Sequence, residues 1–315
     1  MTGILVVIRL KQVGIDDVVL LEKKDSVGGT WRENTYPAVA CDVPGHAYTY
    51  AFEPNPEWSS LFAPGAEIHQ YFKDVCRKYD VDRHIRYGET VTGCVYQDGR
   101  WNVKTQSGGH YACDLLFAAT GMLHRPVTPD FPGRESFAGV QMHSAEWDHS
   151  VDMRGKRIGV VGNGSSAAQL IPELIDTEGT AVSVFQRTAQ WMVTMPNRAY
   201  TEKQRRRFRT SPRALARTRR LSLLLFEFGT AALTSDGFFM RMLHRLMAWN
   251  GRRYLNSAIK DPELKKKLTP DYTFGCKRVV INSTFYPAIQ KPNADRKSTR
   301  LNSSHSQQSR MPSSA

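Results

Sequence analysis

Hydrophobic and polar positions alternate along the chain in a way that predicts an α/β architecture. Residues 4–12 have the apolar spacing of a helix, with Gly14 at the position of its C-terminal cap. Residues 18–22 form a short apolar run that ends in an acid. A second apolar run, 157–161, leads into a glycine-rich turn, then a helix, then a further apolar run. Strands and helices that alternate in this order are typical of a parallel sheet.

Other segments have equally readable patterns. Residues 68–79 have helical spacing, and residues 86–103 alternate in twos around the turn signal Asp98-Gly99, which predicts a hairpin. The run 114–121 predicts a strand that enters a glycine turn. Proline, asparagine and aromatic residues dominate 31–64, which predicts mostly loop.

Composition predicts a globular protein with a basic region. The chain has 315 residues, 41% of them hydrophobic and 23% charged, with a net charge of +13. Residues 200–270 have a helical pattern, and residues 201–220 alone contain nine Lys or Arg and one Glu. A solvated helix face is the favoured interpretation, and a membrane-surface helix is the second. No nucleic-acid-binding motif accompanies the charge, so we predict no nucleic-acid partner.

Cysteine usage and hydropathy restrict the class of protein further. Five cysteines without a CxxC pair argue against a disulfide scaffold or a zinc site, so we predict no metal and a reducing, cytoplasmic location. The most apolar stretch, 221–228, has eight residues and contains Glu227. A spanning helix needs about 20 residues, so no integral membrane contact is predicted.

Both ends of the chain have unusual patterns. Residues 295–315 become rich in Ser, Arg and Gln, without a helical or strand period. Two blocks in this segment resemble translated sequencing adapter in the correct order, so we expect 295–315 to be a non-native tail and exclude it from fold prediction. At the start, a helix, a strand and an acid have the order of the second half of a dinucleotide-binding unit, so we expect its first strand to be missing; ordinary α/β packing is the alternative.

The second glycine-rich turn carries the clearest chemical signal. Its residues are Gly162, Asn163, Gly164, Ser165, Ser166 and Ala167. In a dinucleotide-binding turn the first glycine makes the tight turn, the second admits a pyrophosphate, and a small third residue lets helix and strand pack closely. The helix then presents unpaired N–H groups to the phosphates. A packing turn without a phosphate is the alternative.

The ends of the two predicted strands suggest different cofactors. After the later strand come Arg187 and Thr188 instead of an acid, and arginine suits the 2′-phosphate of NADP, although a plain surface arginine is the alternative. After the earlier strand comes Glu22, the position of an acid that binds a ribose hydroxyl. Gly3 lies 19 residues before it, where the third glycine of such a turn belongs.

Three strings together resemble one family. Residues 28–42 resemble [AG]-G-x-W-x4-[FY]-P-[GM]-x3-D, with one departure at Ala38. Residues 137–148 resemble the fingerprint F-x-G-x3-H-x3-W-[PD], and residues 274–278 resemble a G-x-K-R segment. In this order they resemble the Baeyer–Villiger monooxygenases, a class B flavin-containing monooxygenase family, and the resemblance covers about residues 3–294.

This resemblance implies an α/β fold with two Rossmann-like dinucleotide-binding domains, for FAD and NADPH, and a helical insertion. The implied parts are an FAD domain at 1–135, a fingerprint linker at 136–154, an NADPH domain at 155–199 and 271–294, the insertion at 200–270 and the tail at 295–315. The implied partners are a small ketone and O2. The implied reaction inserts one oxygen atom beside the ketone carbonyl through a C4a-peroxyflavin, giving an ester or a lactone.

The resemblance also implies roles for individual residues. Arg278 would be the catalytic cation that stabilises the oxygenated flavin, and Asp42 the carboxylate that orients it. The implied FAD-binding residues are Gly3, Glu22, Gly29, Thr30, Trp31, Asp42 and Tyr48. The implied NADP-binding residues are Gly162, Asn163, Gly164, Ser165, Ser166, Ala167, Arg187, Thr188, Lys277 and Arg278. The fingerprint residues are Phe137, Gly139, His143 and Trp147, of which His143 would couple domain movement.

Other interpretations remain open on the sequence. A relative that oxygenates nitrogen or sulfur would share most of these motifs. The chain could instead be an inactive, truncated piece of such an enzyme, or a lipid-surface binder through residues 201–228. Individually, Trp31 and Tyr48 also suit a plain aromatic core, and His143 suits a structural role. Asp42 also suits a loop cap, and Arg278 suits a surface cation.

Overall fold

The computed structural model describes residues 1–195, 197–235 and 237–297. The chain forms two compact units, the first comprising Met1–Asp148 with Tyr200–Leu215, and the second comprising His149–Ala199 with the chain from Ala216 onward. The helices are α1 (Thr2–Gln12), α2 (Thr30–Glu33), α3 (Gly65–Lys78), α4 (Ser165–Asp176), α5 (Glu202–Thr210), α6 (Pro212–Thr234), α7 (Phe238–Ala258), α8 (Pro262–Leu268) and α9 (Phe285–Ala288). The strands are β1 (Leu20–Glu22), β2 (Ile85–Tyr87), β3 (Val91–Gln97), β4 (Arg100–Thr105), β5 (His110–Cys113), β6 (Arg157–Val161), β7 (Ala181–Phe185), β8 (Met192–Val193), β9 (Val280–Ile281) and β10 (Ala294–Lys297).

Helix α1 and strand β1 form the start of the first unit as predicted. The helix ends in a Schellman motif, because Gly14 has φ +83° and its N–H bonds to the carbonyl of Lys11 at 3.1 Å. The N–H of Ile15 bonds to the carbonyl of Leu10 at 2.9 Å. Strand β1 then pairs in parallel with β2.

An aromatic core holds the long loop region of the first unit against α3. Trp58 and Phe72 are fully buried, and Tyr71 packs against both. The hydroxyl of Tyr71 accepts a hydrogen bond from the backbone N–H of Tyr50 at 2.9 Å and donates one to the carbonyl of Glu53 at 2.7 Å. The predicted helix at 68–79 is confirmed, and it anchors the loop region that contains Tyr50, Glu53 and Trp58.

The hairpin predicted around Asp98 is also confirmed. Strands β3, β4 and β5 form an antiparallel sheet. Asp98 and Gly99 have φ +53° and +77°, the positive values that a two-residue type I′ hairpin turn requires.

The strand predicted at 114–121 is wrong. A strand exists through backbone bonds to a neighbour, and no described segment pairs with these residues. The side chains of Leu115 and Phe117 are 68% and 53% exposed. An apolar run indicates a strand only where a pairing partner is available, and the run itself does not supply one.

The second unit contains the predicted strand–turn–helix–strand sequence. Strands β6 and β7 pair in parallel, and α4 crosses between them with Leu170, Ile171 and Leu174 buried. The strands at 157–161 and 181–185 and the helix after the glycine turn are therefore confirmed. This is the βαβ unit that the sequence pattern predicted.

The third strand of this sheet extends into the segment that was excluded from fold prediction, while the non-native origin of that segment stays a prediction. Strand β10 pairs in parallel with β7 from Ala294 to Lys297, so regular structure continues three residues beyond 294. A sheet ladder is made by backbone groups, which explains why the lack of a side-chain period did not prevent it. The rest of the excluded segment, 298–315, lies outside the described residues.

Residues 200–270 are helical as predicted, and the structure describes α5 to α8 within them. Helix α5 begins in a capping box in which Thr201 and Gln204 bond each other's backbone N–H. No single helix in the described ranges is long and apolar enough to cross a membrane. Helices α6 and α7 reach the length and apolar composition of a spanning segment only when taken together, and the chain bends by 102° between them.

Candidate nucleotide-binding sites

The turn between β6 and α4 has the backbone that a phosphate-binding turn needs. Gly162 has φ +114°, a conformation that favours glycine, and its N–H bonds to the carbonyl of Phe185 at 2.9 Å. A Cβ placed on Gly162 or on Gly164 would meet no atom of the described structure within 4 Å. The space in front of both glycines is therefore open to a ligand.

The first turn of α4 is suited to an anion. Gly164 is its N-cap, and in the described structure no side chain caps the helix. Ser165, Ser166 and Ala167 form the first turn, which contains no acid. Unpaired N–H groups at a helix N-terminus, together with the helix dipole, attract phosphate.

Asn163 connects this turn to the end of β7. Its side chain is 7% exposed, and its amide donates to Oε1 of Gln186 at 2.8 Å and to the carbonyl of Thr188 at 2.9 Å. Arg187, between these two partners, has an exposed side chain. The structure thus brings the glycine turn and the predicted 2′-phosphate arginine to the same end of the sheet. The sequence motif placed Asn163 in the turn but gave no sign of these contacts.

Lys277 and Arg278 lie in the loop that precedes β9. The ammonium of Lys277 lies 4.4 Å from the ring centroid of Tyr272, and Arg278 is exposed. The indole N–H of Trp191 donates to the carbonyl of Tyr272 at 2.9 Å, and the Val280 N–H donates to the carbonyl of Trp191 at 2.9 Å. These bonds fix the loop against the segment that follows Arg187.

The first unit retains a close helix–strand approach at Gly3. A Cβ on Gly3 would lie 2.8 Å from Cδ1 of Leu20, so α1 and β1 pack at a distance that only glycine allows without a shift. Glu22 ends β1, and its Oε1 accepts a hydrogen bond from the N–H of Lys24 at 3.0 Å. The close approach at Gly3 is the packing role expected of the third glycine in a dinucleotide-binding turn.

Two glycines shape the turn after β1. Gly28 and Gly29 have φ +124° and +50°, and helix α2 begins at Thr30. A Cβ on Gly28 would lie 2.6 Å from the ring of His69, whose Nε2 lies 2.8 Å from the carbonyl of Val27. His69 therefore braces this turn from α3, and the local sequence gave no signal of that contact.

Trp31 and Tyr48, both predicted beside a flavin, contact each other. The indole N–H of Trp31 donates to the hydroxyl of Tyr48 at 3.1 Å, and the rings meet edge to face at 5.6 Å. Burial raises the pKa of Tyr48, the charges of Cys41 and Asp42 add to the rise, and the bond from Trp31 opposes it. Asp42 is half-buried and close enough to act on Tyr48 electrostatically.

A cavity of about 760 Å³ lies in the first unit beside the end of β1. Two ion pairs border it, Arg32 with Asp25 at 2.5 Å and Lys23 with Glu33 at 3.3 Å. The remaining lining includes Lys24, Ser26, Thr35, His69, Lys73, Leu123, His124, Pro126, Ala145 and Glu146. The lysines of this wall carry charge suited to an anionic group, and none of them was among the residues chosen from the sequence.

The fingerprint residues form a short ordered stretch in the first unit. A Cβ on Gly139 would lie 2.6 Å from the ring of Phe137, so the ring covers that glycine. Nδ1 of His143 accepts from the N–H of Ala145 at 3.1 Å and thereby caps a 3-10 turn at Ser144–Glu146. Trp147 follows, half-buried. The cap gives His143 a structural role, while its role in domain movement stays a prediction.

The two residues expected to act in catalysis, Asp42 and Arg278, belong to different units. Asp42 belongs to the first unit and Arg278 to the second, and their joint role stays a prediction.

Comparisons with known proteins show which sequences this chain is similar to. Residues 2–209 match the family model of pyridine nucleotide-disulphide oxidoreductases. An uncharacterized monooxygenase of Mycobacterium tuberculosis is 40% identical over 276 residues, covering 88% of this chain and 54% of that protein. A Baeyer–Villiger monooxygenase of Streptomyces coelicolor is 38% identical over 295 residues, covering 93% of this chain and 56% of that protein.

Solved structures to which the chain is similar include monooxygenases as well. A steroid monooxygenase bound to NADP superposes with a TM-score of 0.79 at 29% identity, covering 95% of this chain and 64% of that one. OTEMO in complex with FAD and NADP gives a TM-score of 0.77 at 28% identity, with the same coverage. The chain spans about half the length of the curated relatives it matches.

The parallel βαβ unit with its open glycine turn, and the helix–strand contact at Gly3, define a dinucleotide-binding α/β protein. The chain belongs to the pyridine nucleotide-disulphide oxidoreductase family. The fold class and the resemblance to Baeyer–Villiger monooxygenases drawn from the sequence are confirmed.

Proposed function

We propose that this chain is part of an FAD- and NADPH-dependent monooxygenase that inserts one oxygen atom beside a ketone carbonyl. The observation that carries the proposal is the open glycine turn at Gly162–Gly164 with the exposed Arg187 at the same end of the sheet. The fit to relatives named Baeyer–Villiger monooxygenase supports the ketone as substrate. With it we propose O2 as co-substrate and a cytoplasmic location.

NADPH would bind in the second unit. The N–H groups at the start of α4 would bond the pyrophosphate, and no side chain of the described structure competes there. Arg187 would form charge-assisted bonds to the 2′-phosphate, with Asn163 and Thr188 fixing its backbone. Lys277 would add a second cation from the loop before β9.

FAD would bind in the first unit. Glu22 would accept bonds from the ribose, and Gly29 and Thr30 would let the backbone approach the cofactor closely. The Trp31–Tyr48 pair would line the isoalloxazine ring, since their edge-to-face contact and hydrogen bond fix the orientation of both rings. The residues present thus suit a dinucleotide in both units, and we retain the domain division inferred from the resemblance.

The chemistry would divide between cofactors and protein. The chemistry that bound FAD would supply is acceptance of a hydride from NADPH and activation of O2. Arg278 would hold a fixed positive charge where negative charge develops on oxygen, and Asp42 would orient that guanidinium. The hydroxyl of Tyr48, whose pKa burial raises further above its ordinary alkaline value, would keep its proton at working pH.

The test has a binding arm and a turnover arm. The chain is titrated with NADPH and NADH, then incubated with FAD, NADPH, O2 and matched phenyl-alkyl ketone, thioether and tertiary amine. An ester 16 mass units above the ketone supports the proposal, whereas sulfoxide or N-oxide alone supports the nitrogen- or sulfur-oxygenating alternative. Binding of NADPH without any oxygenated product supports the inactive fragment, and absence of NADPH binding overturns the assignment of the second unit.

A further inference from the structure

Helix α6 has an exposed apolar stripe in the second unit. Its members are Leu221, Leu224, Leu225 and Phe228, which are 41–57% exposed. They recur at spacings of three, four and seven residues, so they lie on one side of the helix. Monomeric soluble proteins rarely expose contiguous apolar patches, so such a stripe indicates a contact surface.

Helix α7 repeats the pattern after the bend. Phe238, Met242, Leu246 and Trp249 are 52–80% exposed and follow one another at spacings of four, four and three residues. They too form one stripe. We call these eight side chains on the two helices the α6–α7 apolar face.

Exposed arginines flank the α6 part of this face. Arg217 and Arg220 are exposed one turn before Leu221 and Leu224, on the same side of α6. Residues 216–258 contain seven arginines and two acids. The face is therefore apolar in its middle and strongly positive beside it.

Trp249 shows how the two features combine. The guanidinium carbon of Arg253 lies 5.2 Å from the centroid of the Trp249 ring. About half of the Trp249 side chain remains exposed. Tryptophan and arginine in contact are suited to the boundary between lipid tails and headgroups, where the ring is partly buried and the cation stays solvated.

We propose that the α6–α7 apolar face docks onto an anionic lipid surface. The two helices would lie in the plane of the interface, because the arginines, Glu227 and the bend of 102° disfavour a spanning arrangement. Each of the two helices has low mean hydropathy, one apolar stripe and arginines beside it, and these are the properties of helices that lie in a membrane interface. Charge complementarity favours lipid headgroups over a second copy of this chain, which is itself positive.

The experiment is co-sedimentation of the chain with vesicles. Vesicles of phosphatidylcholine with 30% phosphatidylglycerol are compared with pure phosphatidylcholine vesicles, both at 50 and 500 mM NaCl. We expect binding to the anionic vesicles that is at least about tenfold tighter than to the neutral ones and that weakens at high salt. Binding to neither kind of vesicle, or equally tight binding to both, overturns the proposal.

Variants separate the apolar from the electrostatic part. Leu225→Ser and Phe228→Ser are each expected to weaken binding by about tenfold, since a buried Leu or Phe side chain contributes that much or more. Arg217→Glu is expected to weaken it at least about fivefold. The matched controls Val95→Ser and Lys104→Glu change exposed residues of the first-unit hairpin and should leave binding unchanged.

Two further outcomes count against the proposal. Binding lost in Arg217→Glu but retained in both serine variants would indicate simple charge adsorption and overturn docking of the apolar face. A dimer in light scattering that Phe228→Ser converts to a monomer, without vesicle binding, would assign the face to a second copy. Because the serine variants alter exposed positions, circular dichroism and thermal unfolding should match the parent chain and exclude misfolding.

Discussion

Asn282 donates its side-chain amide to the backbone carbonyl of Ala168 at 2.9 Å, in place of a bond that Pro172 cannot make. Pro172 lies inside α4, four residues after Ala168, and it has no N–H for that carbonyl. Oδ1 of Asn282 accepts from the N–H groups of Thr284 and Phe285 at 2.9 and 2.7 Å. The buried side chain of Asn282 thus replaces the missing hydrogen bond in α4 and bonds the backbone N–H groups at the start of α9.

Asn282→Ala should lower the free energy of unfolding by about 2–4 kcal/mol, because it leaves buried polar groups of both helices unsatisfied. In a Pro172→Ala background the same change should cost about 1 kcal/mol less, since residue 172 then has an N–H for the Ala168 carbonyl. Urea unfolding of the four proteins measures the coupling. Equal costs of Asn282→Ala in both backgrounds would contradict this account.

Arg187→Ala should weaken NADPH binding by about ten- to hundredfold, because it removes charge-assisted bonds to the 2′-phosphate. NADH affinity should change by less than about twofold. Tryptophan fluorescence titration with both nucleotides gives the two dissociation constants. Arg198→Ala, which alters another exposed arginine of the second unit, is the matched control. A parallel loss for NADPH and NADH would reject the 2′-phosphate role.

The two glycines of the turn should respond differently to alanine. Gly164 has φ −74°, which any residue adopts, and a Cβ there meets no described atom, so Gly164→Ala should keep its thermal stability. It should still weaken NADPH binding at least about tenfold, because the added methyl group occupies the space open to the pyrophosphate. Gly162→Ala should instead lower stability by about 1–2 kcal/mol, since its φ is +114°.

Thermal unfolding and nucleotide titration of both glycine variants test this contrast. Unchanged NADPH affinity in a stable Gly164→Ala protein would show that the pyrophosphate does not approach this glycine.

What could be predicted from the sequence was local. The helix spacing of 4–12, the Asp98-Gly99 turn and the strand–glycine–helix order at Gly162 all follow from preferences of residues close in sequence. The candidate turn at Gly162–Ala167 was found for the same reason. The side-chain hydrogen bond from Asn163 to Gln186 joins residues that are 23 positions apart, and no pattern within either segment indicates it.

The wrong and missing predictions concern partners distant in sequence. The run at 114–121 is apolar enough for a strand, but pairing depends on a neighbour elsewhere in the chain. His69, which braces Gly28, and Lys73, which lines the cavity, both lie on α3, so their positions depend on how that helix docks. Tyr200 and Phe208 start the basic helical region, and the structure places both rings against His46 of the first unit.

His46 makes the first unit sensitive to acid. Its side chain is 1% exposed between the rings of Tyr200 and Phe208, at centroid distances of 5.4 and 4.6 Å. Burial lowers its pKa from 6.5 to about 4, and the Asn55 backbone opposes this in part. Between these values the unfolded chain binds a proton that the folded chain does not, so stability must fall as pH falls.

We therefore expect the free energy of unfolding to decrease from about pH 6.5 towards pH 4 by about 1.4 kcal/mol per pH unit from this group. Replacement of the imidazole in His46→Phe removes the titrating group and should flatten that part of the profile. Urea unfolding at pH 7, 6, 5 and 4.5 measures the slopes. His110→Phe, at an exposed position of β5, is the control and should keep the parent slope. An unchanged slope in His46→Phe would assign the acid sensitivity to other groups.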